Sequence, residues 1–195
     1  MSTAAEMSCA SPLALVVAPT PTLFLRSWFA GCPSDQFMEL RAFHVQTKAA
    51  YQEFFRLDAV AELYGRACSL VEDYHIYFGT APRIRPKGDK ASVTHTPGLW
   101  ADLDFKRFPD GERGARLGLG AFPIPATWVI GTGGGYHVYW KLREPVQADS
   151  DFEARLKGVV KALGADPAAT DRCRVLRVPG TFNHKYPECQ VRILS

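Results

Sequence analysis

The chain has no C-x-x-C pair: its five cysteines, Cys9, Cys32, Cys68, Cys173 and Cys189, are scattered along 195 residues. That spacing argues against a structural zinc site and a disulfide framework, and leaves a reduced, cytoplasmic setting as the expectation. No apolar run approaches the roughly 18 residues that a membrane span needs, so no membrane partner is expected. The stretch SPLALVVAPTPT is the nearest thing to a targeting signal, but it is short, lacks a basic lead and runs into prolines. A flexible leader over residues 1–21 is expected instead, with one catalytic-sized region over 22–195. Nucleotide fingerprints are incomplete too. GTGGG at 131–135 has Tyr136 where G-x-G-x-x-G needs its third glycine, and the G-K-[ST] ending of a P-loop is missing. No organic cofactor is therefore expected.

Strong net charge is also lacking, at a formal +3, but the charge is unevenly spread. Residues 171–195 hold Arg172, Arg174, Arg177, Lys185 and Arg192 against Asp171 and Glu188, while the preceding 170 residues balance 18 basic against 18 acidic side chains. A second basic stretch, APRIRPKGDK, carries Arg83, Arg85, Lys87 and Lys90 against Asp89. Each reads either as a solvated loop or as a surface that faces an anion.

Periodicity supplies the elements. QFMELRAFHV alternates as a strand with mixed faces, which would carry Arg41 toward a ligand. The apolar spacing over 48–56 and 58–72 predicts helices, and HIYFG returns to β-type residues. LWADLDFKRF reads as a strand, and 109–125 as irregular or briefly helical. ATWVI and HVYWKL form a predicted hairpin around the glycine turn. Ser150 to Glu153 matches a capping box, so a helix is predicted from there to about Leu163, with Gly164 as its stop. RVLRV and CQVRIL end the chain as short strands. The alternation is too irregular for a doubly wound sheet and predicts an α+β sandwich.

Four residues carry the chemistry. On a strand, Asp102 and Asp104 share one face at roughly 7 Å, and two hard oxygen donors on one face invite a divalent cation. Mg²⁺ or Mn²⁺ binds through one or two such carboxylates together with substrate phosphates, which leaves a place for Asp171. His137 follows the flexible glycine turn, where an imidazole can donate to a phosphate oxygen. Simpler roles compete: a turn cap for Asp171, a packed histidine, a plain hairpin turn. Arg174 and Arg177 alternate with Val175, Leu176 and Val178, and would hold a triphosphate or template backbone, or else pair with buried acids.

Taken in order, Asp102-Leu103-Asp104, Gly135-Tyr136-His137 and Asp171 before a basic strand resemble the archaeo-eukaryotic primase superfamily, in particular the primase-polymerase branch of phages, plasmids and CRISPR-associated systems. MELRAF, YFGTAPR and RVLRVPGTFNHK support the resemblance, which covers roughly residues 22–195. It implies an N-terminal α/β module and a C-terminal RRM-like module with the active site between them. Asp102, Asp104 and Asp171 would bind two Mg²⁺ or Mn²⁺ ions. His137 and Gly135 would meet the incoming phosphates, and Arg177, Arg174, Arg41, Asn183 and Lys185 would contact nucleotide or template. The implied partners are nucleoside triphosphates and single-stranded or primer-template DNA, with fusion to a helicase, reverse transcriptase or CRISPR protein. Two departures stand out: Gly135 replaces a serine common in the family, and Thr170 replaces the usual hydrophobic residue before the third aspartate. The expected activity is template-directed nucleotidyl transfer, as a DNA/RNA primase and primer-extending polymerase with a two-metal mechanism. A metal-dependent nuclease and an inert nucleic-acid-binding replication module remain alternatives.

Overall fold

The computed structural model describes residues 19–186 and 189–195. The leader expected over 1–21 lies outside them except for its last three residues. Order is established by Pro21, which opens helix α1 (Pro21–Phe29) behind a Thr20 cap whose side chain accepts from the Leu23 N–H. This helix buries Phe24, Leu25, Trp28 and Phe29. Strands β1 (Phe37–His44) and β2 (Ala50–Arg56), helix α2 (Val60–Ser69) and strand β3 (Tyr74–Gly79) follow.

The helix predicted over 48–56 is instead β2. Tyr51, Phe54 and Phe55 favour a pleated surface, and β2 pairs with β1 along its whole length, from Phe37↔Arg56 to Phe43↔Ala50. Cross-strand pairing outweighs the local spacing of apolar residues.

The second half contributes β4 (His95–Asp104), α3 (Glu112–Ala121), β5 (Trp128–Gly131), β6 (Gly135–Gln147), α4 (Ser150–Leu163), β7 (Val175–Arg177) and β8 (Arg192–Ile193). The cap of α4 sits one residue earlier than predicted, at Asp149, whose side chain accepts from the Phe152 N–H. Glu153, expected to close a capping box, instead pairs with Lys90 and accepts from the Arg172 N–H. Gly164 ends the helix as predicted, in the left-handed conformation at φ 64°.

The strands form two antiparallel four-stranded sheets, in the orders β2-β1-β3-β7 and β4-β6-β5-β8. This is the mixed α+β architecture expected. In the second sheet α3 connects β4 to β5, and β6 inserts between them as in the expected RRM-like module, but β8 pairs with β5 rather than beside β4, where the last strand of that motif would lie. The halves interlock because β7, late in the chain, pairs with β3 of the first sheet (Phe78↔Leu176).

Alternation along β4 and β6 sends Ala101, Leu103, Val138 and Trp140 to one face, against Ala115 of α3 and Val160 and Leu163 of α4. The other face changes character along its length. At one end Trp100 and Tyr139 join the core around Phe24, Trp28 and Phe78. At the other end the same face presents Asp102, Asp104 and His137, and there it borders a cavity.

Candidate active site

A cavity of about 400 Å³ lies at this polar end. Pairing of β4 with β6 sets its floor: Asp102 lies opposite His137 and Asp104 opposite Gly135. The His137 Nε2 is 3.8 Å from Asp102 Oδ1. Burial, then repulsion from Asp166 and Asp104, pushes the Asp102 carboxyl up to about 6, against the pull of Arg174 and Arg177. Burial, then Arg177, lowers His137 to about 3, so the ring is neutral at physiological pH. Its Nδ1 is buried with no hydrogen-bond partner among the described residues.

Asp166, which the sequence reading missed, lines the cavity with the D-x-D pair. Its backbone N–H donates to the Asp102 carbonyl at 2.8 Å, fastening the segment after α4 to β4. Asp171 does not line the cavity. Its carboxylate receives Arg174 Nη2 at 2.6 Å and the Cys173 thiol at 3.1 Å. A signal for Asp166 was present: it follows Ala165, which is buried, and so has the hydrophobic predecessor that Asp171 lacks.

The wall is basic. Arg41, Arg174, Arg177 and Lys185 all line the cavity. Arg177 is buried, with its guanidinium carbon 4.9 Å from the centre of the Tyr77 ring and Nη1 3.4 Å from His75 Nδ1. Burial lowers its pKa, with Tyr77 and Asp102 opposing. Asn183 is also buried, and its amide has a structural bond: Nδ2 donates to the Thr132 carbonyl at 2.7 Å, tying the PGTFNHK turn to the end of β5. It also borders the cavity.

The glycine turn is read best through Gly135. A Cβ there would stand 2.4 Å from the Leu103 carbonyl, so a serine would force β4 and β6 apart. The backbone at 135 therefore lines the site without a hydroxyl. Gly133, at φ 85°, supplies the left-handed step of the turn.

Among the described residues, no group of three or more His, Cys, Asp or Glu side chains converges as a ready-made metal site. None of the described helices is long and apolar enough to cross a membrane. What the geometry offers is an acidic floor facing a basic wall, around a neutral imidazole.

No protein-family model and no curated protein sequence matches the chain. Solved structures do. The AEP domain of the cyanophage S-2L primase-polymerase superposes with a TM-score of 0.61 at 15% identity, covering 83% of this chain and 82% of that one. The catalytic domain of primase RepB' in complex with initiator DNA gives 0.58 at 14% identity, over 90% and 85% of the two chains. A longer structure of primase RepB' gives 0.57 at 13% identity, and the match spans 55% of it. With its interlocked sheets, acidic strand and opposed histidine, the chain has the fold of a primase-polymerase domain of the archaeo-eukaryotic primase type.

Proposed function

We propose that the chain is a template-directed nucleotidyltransferase, a primase and primer-extending polymerase that joins nucleoside triphosphates on a DNA template. One observation carries the reading: Asp102, Asp104 and Asp166 line one cavity together with Arg41, Arg174, Arg177 and Lys185. A triphosphate accompanied by divalent cations presents the complementary charges to both sides. The similarity in fold to primases, one of them in complex with initiator DNA, supports the same reading.

The donor set fits Mg²⁺ or Mn²⁺. Three carboxylates offer hard oxygen atoms, and the burial and carboxylate repulsion that together raise Asp102 are what a cation offsets. They stand too far apart to enclose an ion alone, which suits ions that complete their shells with substrate oxygens. Asp102 and Asp104 would hold such ions from the strand and Asp166 from the loop after α4. Bound there, they would lower the pKa of a 3'-hydroxyl and neutralise charge on departing pyrophosphate.

The rest is positioning. Arg177, braced on Tyr77, and Arg174, braced on Asp171, would hold phosphate oxygens in a fixed orientation. His137, neutral and buried, would donate one hydrogen bond to a phosphate without adding charge. The test is synthesis on a DNA template, with and without a primer, comparing ribo- and deoxyribonucleoside triphosphates with Mg²⁺ and Mn²⁺. Lengthened or newly made strands support the reading. Shortening of the primer without triphosphates would make the protein a nuclease, and binding alone an inert module.

A further inference from the structure

Glu39, the third residue of β1, is a carboxylate with no exposure, and it binds side chains from β1, β2 and the loop after β3. Its Oε2 receives Arg83 Nε at 2.9 Å and Nη2 at 2.6 Å. Its Oε1 receives Arg41 Nε at 2.7 Å and Gln52 Nε2 at 2.6 Å. Arg83, itself fully buried, reaches onward to the Cys173 carbonyl at 3.0 Å. That carbonyl immediately precedes Arg174.

Two glycines make room for the cluster. A Cβ on Gly79 would lie 2.9 Å from Arg83 Nη2, and one on Gly88 would lie 2.2 Å from Gln52 Nε2 and 2.5 Å from Arg41 Nη2. The basic loop is thus closed onto Glu39, and Arg41 Nη2 also donates to the Gly88 carbonyl at 3.3 Å.

The consequence falls on Arg41. Its side chain is only partly exposed and lines both the acidic cavity and a neighbouring hollow of about 420 Å³ between β1, β2 and the 87–89 loop. A free arginine at a doorway would swing among many rotamers, losing entropy on each capture of an anion. Bonded to a buried carboxylate through Nε and Nη2, it keeps one orientation while leaving the Nη1 N–H groups for a ligand.

We propose that Glu39 is a positioning residue for the triphosphate: it holds Arg41 at the mouth of the acidic cavity. This rests on the nucleotidyltransferase reading and adds the residue that sets its substrate affinity.

Removing Glu39 alone leaves Arg83 as an unpaired buried charge, so loss of folding would obscure the result. Two variants avoid this. Glu39→Gln with Arg83→Met removes both members of the buried pair, and Glu39→Asp keeps the charge but is a methylene too short for both guanidiniums. Binding of a radiolabelled deoxynucleoside triphosphate with Mn²⁺ is measured by equilibrium dialysis, beside the melting temperature. The expectation is affinity about ten-fold weaker in a variant that melts near the parent, the scale of one charge-assisted contact. Arg41→Ala should weaken binding equally, and Glu39→Asp should add nothing in the Arg41→Ala background. Parent-like affinity in both Glu39 variants, or losses that add in the combined variant, would overturn the proposal alone. No triphosphate binding by the unaltered chain would overturn the parent reading and the proposal with it.

Discussion

The backbone N–H of Asp166 bonds to the carbonyl of Asp102 at 2.8 Å, so the loop that leaves α4 is fixed to the strand that carries the acidic pair. This bond brings a third carboxylate to the cavity, and it separates Asp166 from Asp171. Asp166→Asn keeps the side-chain oxygen that accepts from the Ala168 N–H at 3.0 Å, so the local turn survives while the charge is lost. Strand synthesis by this variant is expected to fall about 100-fold or more, the scale of losing one transition-state charge partner. Asp171→Asn loosens Arg174 and is expected to cost about ten-fold or less. The comparison is made by steady-state rates, and an inverted order would return the third carboxylate to Asp171.

Cation binding should register as stability. At ten times its dissociation constant, Mn²⁺ adds about 1.4 kcal/mol, or roughly 3–6 °C in melting temperature for a chain of this size. The gain is expected in the unaltered chain at pH 7 and should vanish in Asp102→Asn with Asp104→Asn. Calorimetry showing equal gains in both proteins would place the cation elsewhere.

Acid should destabilise the fold through His75. Burial, followed by Arg177 and His184, lowers this histidine to about 4. An unfolded chain takes up its proton near 6.5 while the folded chain refuses it until about 4, so the unfolded state binds more protons in that window and stability falls as pH falls through it. His75→Gln removes this contribution. Urea midpoints at pH 7 and pH 5 should therefore drop less in the variant than in the parent, and parallel drops would contradict the assignment.

Glycines separate by environment. Gly135→Ser would push its Cβ into the Leu103 carbonyl and is expected to cost about 2 kcal/mol or more. Gly158→Ala, inside α4 with nothing within 4 Å of the added carbon, is expected to stabilise by about 0.5–1 kcal/mol. Chemical denaturation of the two variants should give shifts of opposite sign.

Much of the site could be read before the fold. Strand alternation put Asp102 and Asp104 on one face, and the glycine turn gave a hairpin whose second strand leads from Gly135 into His137. The register that sets His137 opposite Asp102 was not legible, because it depends on where β4 lies in the sheet, and a one-residue slip reverses every side chain. Asp166 was hidden for a related reason: it approaches the D-x-D strand through a backbone bond across 64 residues' separation in sequence order, Asp102 to Asp166. Its neighbour Asp171 stood closer to the basic strand and drew the assignment. Residues 48–56 were misread because Tyr51, Phe54 and Phe55 satisfy helical spacing as well as β alternation, and only pairing with β1 decides between them. Glu39 gave no sign of its role, since a glutamate in an alternating strand is ordinary until Arg83 and Arg41 close on it.

The central claim is that the acidic floor and basic wall form one centre for joining nucleotides. A labelled primer annealed to a longer DNA template, incubated with triphosphates and Mn²⁺, tests it most directly. The unaltered chain should lengthen the primer to the template's end, and Asp102→Asn with Asp104→Asn should leave it unchanged. Full extension by the doubly substituted chain, or a primer that the unaltered chain leaves untouched or shortens, would contradict the account.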